Sequence, residues 1–150
     1  MIEIIADMLK EHEEDSLIWG ATTEEAIAGA ENALGVRFPE EYREFVKVFG
    51  SGGIGGVEIE GVEGQGASVV NATERYRKLG LAKNIIVVMD SDDFAHCMNT
   101  SETNGAVYSM HRTSDGLTEP TLWAKSFYNF VTEEFRDAIR NLDIFSDEDI

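Results

Sequence analysis

The sequence has little cysteine and no long apolar run. Its single cysteine, Cys97, cannot form an internal disulfide, which excludes a disulfide-stabilised scaffold and fits a reducing compartment. A transmembrane helix needs roughly 20 consecutive apolar residues, and no segment approaches that length. The N-terminal heptapeptide contains Glu3 and Asp7 where a signal peptide would carry basic residues and then an apolar run. A cytoplasmic protein without a membrane partner is expected.

Positive charge is also scarce. Twelve Lys and Arg residues stand against 29 Asp and Glu residues, which gives a formal net charge of −17 and an isoelectric point near 4.3. A protein that binds the phosphates of a nucleic acid needs a basic face. We therefore expect no direct binding of nucleic acid. Anionic membrane surfaces are disfavoured for the same reason. The remaining classes are an acidic enzyme and a protein that binds a basic partner.

The length and the apolar content indicate one globular domain. The chain has 150 residues, of which 43% are hydrophobic. A domain of this size buries roughly 68–70% of the surface of its unfolded chain, so it needs neither disulfides nor metals to fold. We predict a single domain over residues 1–150, with a short acidic tail from about residue 143.

Apolar residues recur at helical spacing in the first half of the chain. Such stripes predict three helices, around residues 2–9, 27–34 and 42–49. Thr22 and Glu25 have the spacing of a capping box at the start of the second helix. Five glycines among residues 50–56 end the third helix and predict a flexible crossover.

The second half has strand patterns. Residues 57–62 alternate apolar and acidic side chains, whereas residues 85–89 are almost wholly apolar, as in a strand covered on both faces. Residues 94–99 and 106–112 predict a hairpin through Asn104-Gly105. With a further helix near residues 69–76 and a last one from about Ser126, the order indicates an α+β fold.

The glycine run matches the G-x-G-x-x-G string, but in the wrong context for a nucleotide. Dinucleotide binding requires a strand before the glycines and a helix after them, so that a phosphate meets the helix N-terminus. Here the predicted helix precedes Gly50 and the predicted strand follows Gly55. No cofactor is therefore expected.

Three further candidates for chemistry also fail. The run from Asp90 to Asp93 lacks the glycine and glutamate positions of an EF-hand loop, so a solvated turn is expected there. His96 and Cys97 are neighbours and point to opposite faces of a strand; Cys97 is expected to be a buried thiol. His111 could meet His96 across the hairpin, but two histidines alone are weak evidence for zinc. No catalytic or metal-binding residue is assigned, and the protein is not expected to be an enzyme.

The distribution of charge is more informative than its sum. No Lys or Arg occurs between Lys10 and Arg37, between Lys47 and Arg75, or between Lys83 and Arg112. The last two gaps contain the first predicted strand and the hairpin. An acidic face of this kind accelerates association with a basic partner, while solubility alone is the alternative explanation. The carboxylates predicted as partner contacts are Glu58, Glu60, Glu63, Asp92 and Asp93.

Several segments, taken in their order along the chain, resemble the SUKH superfamily. They are Thr23-Glu-Glu-Ala-Ile, Glu31-Asn-Ala-Leu-Gly-Val-Arg-Phe-Pro-Glu-Glu-Tyr-Arg-Glu-Phe45, Gly50-Ser-Gly-Gly53, Ala67-Ser-Val-Val-Asn-Ala-Thr-Glu-Arg-Tyr76, Phe94-Ala-His-Cys and Ser126-Phe-Tyr-Asn-Phe130. The resemblance covers roughly residues 22–142. Pro39, Tyr42, Phe45 and Gly53 match the motif of the family and are interpreted as fold residues.

The resemblance implies an α+β fold with a curved, mostly antiparallel sheet, flanked by N-terminal helices and one C-terminal helix. It also implies an immunity protein that binds and occludes a cognate toxin domain, often a nuclease. Eukaryotic relatives include regulators of cell-wall assembly, so a regulatory scaffold that binds a basic host protein is the alternative. An enzyme acting on a small acidic substrate would need clustered basic residues and is the weakest hypothesis.

Overall fold

The structure is a computed structural model that describes residues 1–148, with side chains through Asp143. These residues form five α-helices: α1 (Ile2–Glu11), α2 (Glu24–Leu34), α3 (Glu40–Phe49), α4 (Ser68–Arg77) and α5 (Phe127–Glu148). They also form eight strands: β1 (Ser16–Ile18), β2 (Gly52–Ile54), β3 (Val57–Ile59), β4 (Ile85–Ser91), β5 (Phe94–Asn99), β6 (Val107–Thr113), β7 (Gly116–Leu117) and β8 (Thr121–Ala124). The predicted α+β class is confirmed.

The strands form two antiparallel sheets. The small sheet has the order β1-β2-β3, and the large sheet has the order β4-β5-β6-β7, with β8 also paired to β6. The register of β4 shifts between Val87 and Met89, which leaves Val88 outside the pairing with β5. The Val88 carbonyl instead accepts a 2.8 Å hydrogen bond from the Glu60 amide. This bond joins the end of the small sheet to the middle of β4.

Two apolar clusters hold the layers together. The larger one lies between the helices and the two sheets and is rich in aromatic rings; Tyr42, Phe45, Phe127, Phe130 and Phe135 are among its most deeply buried members. The smaller one lies between α4 and the large sheet and contains Tyr76, Val87 and Cys97. The predicted burial of Cys97 is confirmed.

Two local predictions are wrong. The N-cap of α2 is Thr23, not Thr22, because the Thr23 hydroxyl accepts a hydrogen bond from the Ala26 amide at 3.1 Å. The Thr22 hydroxyl donates to the Val62 carbonyl instead, at 2.9 Å. The glycine run is not only a crossover, since Gly52–Ile54 forms the central strand of the small sheet.

The strand and hairpin predictions are largely confirmed, with some limits shifted. The first predicted strand ends at Ile59 rather than at residue 62. β5 and β6 pair as predicted, but His96 lies opposite Ser109, and His111 lies opposite Phe94. Helix α5 continues to Glu148; the side chains after Asp143 and the last two residues lie outside the described part, so the acidic tail stays a prediction.

Candidate functional site

An open groove of about 290 Å³ lies beside the small sheet, between β1 and the chain that follows β3. Two large apolar side chains, Leu17 and Trp19, line it together with three carboxylate side chains, Glu58, Glu60 and Glu63. We call these five residues and the space between them the acidic groove. Three of the five carboxylates predicted as partner contacts thus share one concave surface.

Glycines bring the two walls of the acidic groove together. A Cβ atom at Gly52, whose φ is +114°, would lie 1.9 Å from the Leu17 carbonyl oxygen, so β1 approaches β2 as closely as a residue without a side chain allows. A Cβ atom at Gly50 would lie 3.0 Å from Cδ1 of Trp19. The glycine run that matched a nucleotide motif therefore lets β1, and with it Trp19, lie close to the segment that contains the three glutamates of the groove.

Leu17 and Trp19 are exposed although they are large and apolar. The exposed fractions are 71% for Leu17 and 61% for Trp19. Large exposed apolar side chains next to one another mark interaction surfaces more often than isolated ones do. Neither residue could be predicted as a contact from the sequence, because β1 has only three residues and its partner strand lies in the glycine run.

Glu60 is a half-buried carboxylate of the acidic groove. Burial raises the pKa of its carboxyl above the ordinary value, and the charges of Asp90 and Glu63 add to this shift. The nearby Ser68 hydroxyl and the charge of Arg75 oppose it. A second cleft, of about 150 Å³, is lined by Glu58, Glu60 and Asp90. Glu58 itself is exposed. Negative charge therefore continues from the acidic groove to the end of β4.

Asp90 has cationic and hydroxyl partners of its own. Its carboxylate accepts hydrogen bonds from the Tyr76 hydroxyl at 2.6 Å and from Arg75 at 3.2 Å. Arg112 lies 4.0 Å from the same carboxylate. Burial and the hydrogen bond to Asp90 raise the pKa of Tyr76 to about 12. Both arginines therefore contact Asp90, and the charge of Arg75 also lowers the pKa of Glu60.

Glu63 has a structural partner as well as a place in the groove. Its carboxylate accepts hydrogen bonds from the amide and the hydroxyl of Ser68, at 2.9 and 2.5 Å, at the first residue of α4. A carboxylate at a helix N-terminus satisfies amide groups that have no partner within the helix. Glu63 therefore anchors α4 and is the least free of the three carboxylates.

Asp92 and Asp93 lie on the neighbouring β4–β5 turn and line neither cavity. Both side chains are exposed, and the Asp93 carbonyl accepts a hydrogen bond from the Arg112 amide at 3.0 Å. Ser91, which lines the second cleft, directly precedes them. They extend the acidic surface beyond the acidic groove without taking part in its geometry.

The residues considered for catalysis lie elsewhere. Neither ring nitrogen of His96, a residue only 1% exposed, has a hydrogen-bond partner, and the ring packs against Trp123 and Phe130. Burial lowers the pKa of His96 to about 4. Burial raises the pKa of the Cys97 thiol to about 12, so a nucleophilic thiolate is not available there at neutral pH.

The described residues hold neither a metal cluster nor a membrane-spanning helix. No group of three or more His, Cys, Asp or Glu side chains within residues 1–143 is arranged to hold a metal ion. None of the helices in the described part of the chain combines the length and the apolar character that crossing a bilayer requires.

Comparison with known proteins identifies the relatives of this fold. A crystal structure of a protein from Pseudomonas syringae pv. tomato superposes with a TM-score of 0.61 and 18% sequence identity, over 82% of this chain and 92% of that one. At this identity the match shows a shared fold. A family model described as SMI1-KNR4 cell-wall matches residues 1–136. Because that match spans most of the sequence, the chain belongs to the SMI1-KNR4 family of the SUKH superfamily.

Proposed function

We propose that this protein is an immunity protein that binds a cognate toxin domain and occludes its basic surface. It acts in the cytoplasm as a stoichiometric inhibitor and not as an enzyme. The observation that carries the proposal is the acidic groove, in which Glu58, Glu60 and Glu63 face one concave surface. None of these three carboxylates forms an ion pair with any residue whose side chain the structure describes.

The energetics of Glu60 support a binding role. A carboxylate whose pKa is raised by burial and by neighbouring acids destabilises the folded protein at neutral pH. Such arrangements are enriched at functional sites, although structural networks also produce them. A basic partner supplies a further counter-charge, which offsets this cost in the complex.

The chemistry of the partner follows from the sign of the charge. The cleft of a nuclease domain is basic because it holds phosphates, and the carboxylates of the acidic groove, with Asp92 and Asp93 beside it, present comparable negative charge. An acidic surface opposite a basic one raises the association rate and rejects acidic competitors. A nuclease domain is therefore our first choice for the toxin.

Co-expression with a candidate toxin tests this function. A toxin domain encoded next to the gene for this protein is expressed from an inducible promoter, with and without the immunity candidate, and surviving colonies are counted. We expect protection by the wild-type protein and a 1:1 complex by calorimetry with the purified domains. Survival that does not depend on this protein, or no complex, would refute the proposal.

The description of the matching family supports one alternative. Since that description refers to the cell wall, a regulatory scaffold that binds basic host proteins is the second candidate. A scaffold would bind several partners with comparable affinity, whereas an immunity protein binds one toxin much more tightly than any other protein. Affinities measured against the toxin and against captured host proteins separate the two.

A further inference from the structure

We propose that the acidic groove holds a single arginine side chain of the partner, with the guanidinium group against the Trp19 indole and paired with Glu58 and Glu60. This inference rests on the proposed function, in that it names the chemistry by which the basic partner is recognised. Leu17 covers the aliphatic stem of that arginine in the same site.

The groove is at the small end of the range for ligand sites and is large enough for one long side chain. Sites for cofactors and small molecules usually occupy about 300–1,000 Å³ and enclose most of the ligand. The acidic groove has about 290 Å³ and is open to solvent along one side. It has room for one long side chain that enters from a docked protein surface.

The lining selects arginine over lysine. A guanidinium group is planar, stacks on aromatic faces and pairs with carboxylates through two parallel hydrogen bonds. Trp19 offers the most favourable aromatic face for a cation, and it is 61% exposed. Glu58 and Glu60 supply two carboxylates in the same groove. An ammonium group would gain the charge interaction but little from stacking.

Charge complementarity is the reason to place a cation there. The groove is lined by three glutamates and by no Lys or Arg. Arg75 and Arg112, the cations on the far side of Glu60, are directed to Asp90 and Tyr76. The charge of Arg75 lowers the pKa of Glu60, but no described Lys or Arg forms an ion pair with a glutamate of the groove.

The combination of residues is typical of a binding hot spot in a protein–protein interface. Such hot spots are enriched in tryptophan and arginine and lie in pockets from which the surrounding contacts exclude water. Leu17 and Trp19 form the apolar part of this one, and Glu58 and Glu60 form the polar part. The stated partner is thus a folded basic protein that presents an exposed arginine side chain to the groove.

Titration with short peptides, followed by NMR of the ¹⁵N-labelled full chain, tests the proposal. The probes are Gly-Arg-Gly, Gly-Lys-Gly and Gly-citrulline-Gly with blocked termini. We expect saturable shifts of the Trp19 indole N–H with the arginine peptide at millimolar concentrations. The lysine peptide should bind at least threefold more weakly, and the uncharged citrulline peptide should give no saturation. The indole of Trp123, which donates to Glu134 elsewhere on the molecule, is the internal control.

Variants separate specific binding from general attraction. Trp19→Leu keeps an apolar side chain without an aromatic face, and we expect it to weaken arginine binding at least threefold and to abolish the preference over lysine. Glu58→Gln combined with Glu60→Gln should remove binding, whereas Asp115→Asn with Glu119→Gln, two exposed acids elsewhere, should leave it intact. Thermal melting checks that each variant is folded.

The outcomes distinguish this inference from the function on which it rests. Equal shifts with all three peptides, or unchanged arginine binding in Trp19→Leu, would overturn the arginine site even if the protein protects cells from its toxin. Selective arginine binding without protection would support the site and refute the immunity function.

Discussion

The Tyr42 hydroxyl donates a 2.6 Å hydrogen bond to the backbone carbonyl of Glu60. Tyr42 lies on α3, is fully buried and contacts the rings of Phe38 and Phe127 edge to face. Tyr42, which matches the family motif and is interpreted as a fold residue, thus also holds the backbone at Glu60, a carboxylate of the acidic groove. Burial, with the charges of Glu60 and Glu63, raises the pKa of Tyr42 well above 10, so the hydroxyl remains a donor at all moderate pH values.

Tyr42→Phe should destabilise the protein without changing its fold. The substitution leaves a partly buried carbonyl without its donor, which costs about 1–2 kcal/mol of unfolding free energy. Urea denaturation measures the difference. Tyr108→Phe, which removes a hydroxyl bonded to the Glu102 carboxylate nearer the surface, is the control and should cost less than about 0.5 kcal/mol. Equal effects of the two variants would refute the structural role given to Tyr42.

Gly53→Ala and Gly29→Ala should have opposite effects on stability. A Cβ atom at Gly53 would lie 1.9 Å from the Val57 carbonyl oxygen, whereas a Cβ atom at Gly29 would meet nothing within 4 Å. The first change forces β2 and β3 apart and should cost about 3 kcal/mol or more. The second adds a better helix former inside α2 and should stabilise by about 0.5–1 kcal/mol. A neutral Gly53→Ala would show that Gly53 is not required by the fold.

The buried His96 predicts a loss of stability in mild acid. Because burial, and then the charge of His111, lower its folded pKa from 6.5 to about 4, the unfolded chain takes up the proton first as the pH falls. Its contribution to stability is therefore complete above about pH 6.5 and decreases below it, by on the order of 2 kcal/mol at pH 5. Denaturation of the wild type and of His96→Phe at pH 7.5 and pH 5 measures this.

The pH dependence of stability must be compared between the wild type and His96→Phe, because the titration of other groups changes the stability in the opposite direction. Burial raises the pKa of Glu60 and of Glu134. The titration of these two carboxyls therefore makes the folded protein more stable as the pH falls. His96→Phe should lack the acid-dependent loss and retain the gains from the two glutamates. The same pH dependence in both proteins would mean that His96 is not held neutral.

Glu60→Gln should stabilise the free protein and weaken its complex. The folded state binds the Glu60 proton more tightly than the unfolded state does, so the carboxylate costs stability at neutral pH and the amide does not. We expect a higher melting temperature for Glu60→Gln at pH 7 and a difference that shrinks as the pH falls through the folded pKa. Glu119→Gln, on an exposed segment, should leave the melting temperature unchanged. A less stable Glu60→Gln would contradict the electrostatic account of the groove.

Local patterns in the sequence predicted most helices and the large sheet. The stripe at Tyr42, Phe45, Val46 and Phe49 has helical spacing and is the buried face of α3, and the apolar run of β4 is buried as predicted. These elements are long enough for their own side chains to show a period. The cap of α2 was placed one residue early because Thr22 and Thr23 have the same chemistry, and only the contact of Thr22 with Val62 separates them.

The acidic groove could be predicted only in part. Glu58 and Glu60 were expected on one face because they are two residues apart in an alternating segment, and both line the groove. Leu17 and Trp19 could not be found, since β1 becomes a strand only by pairing with glycines more than 30 residues later. The capping contact of Glu63 with Ser68 likewise depends on where α4 begins. At both places the structure depends on contacts between separate segments of the chain and not on local propensity, so the local sequence does not predict it.

The association rate of the toxin domain, measured as a function of ionic strength, tests the central claim most directly. Stopped-flow mixing would compare the wild-type protein with the double variant Glu58→Lys, Glu60→Lys, and with Asp115→Lys, Glu119→Lys as the variant of equal net charge. We predict that only the first pair slows association tenfold or more at low salt and flattens its salt dependence, because steering depends on charge at the contact surface. Rates that are identical for the two double variants at every salt concentration would contradict the assignment of the acidic groove as the toxin-binding site.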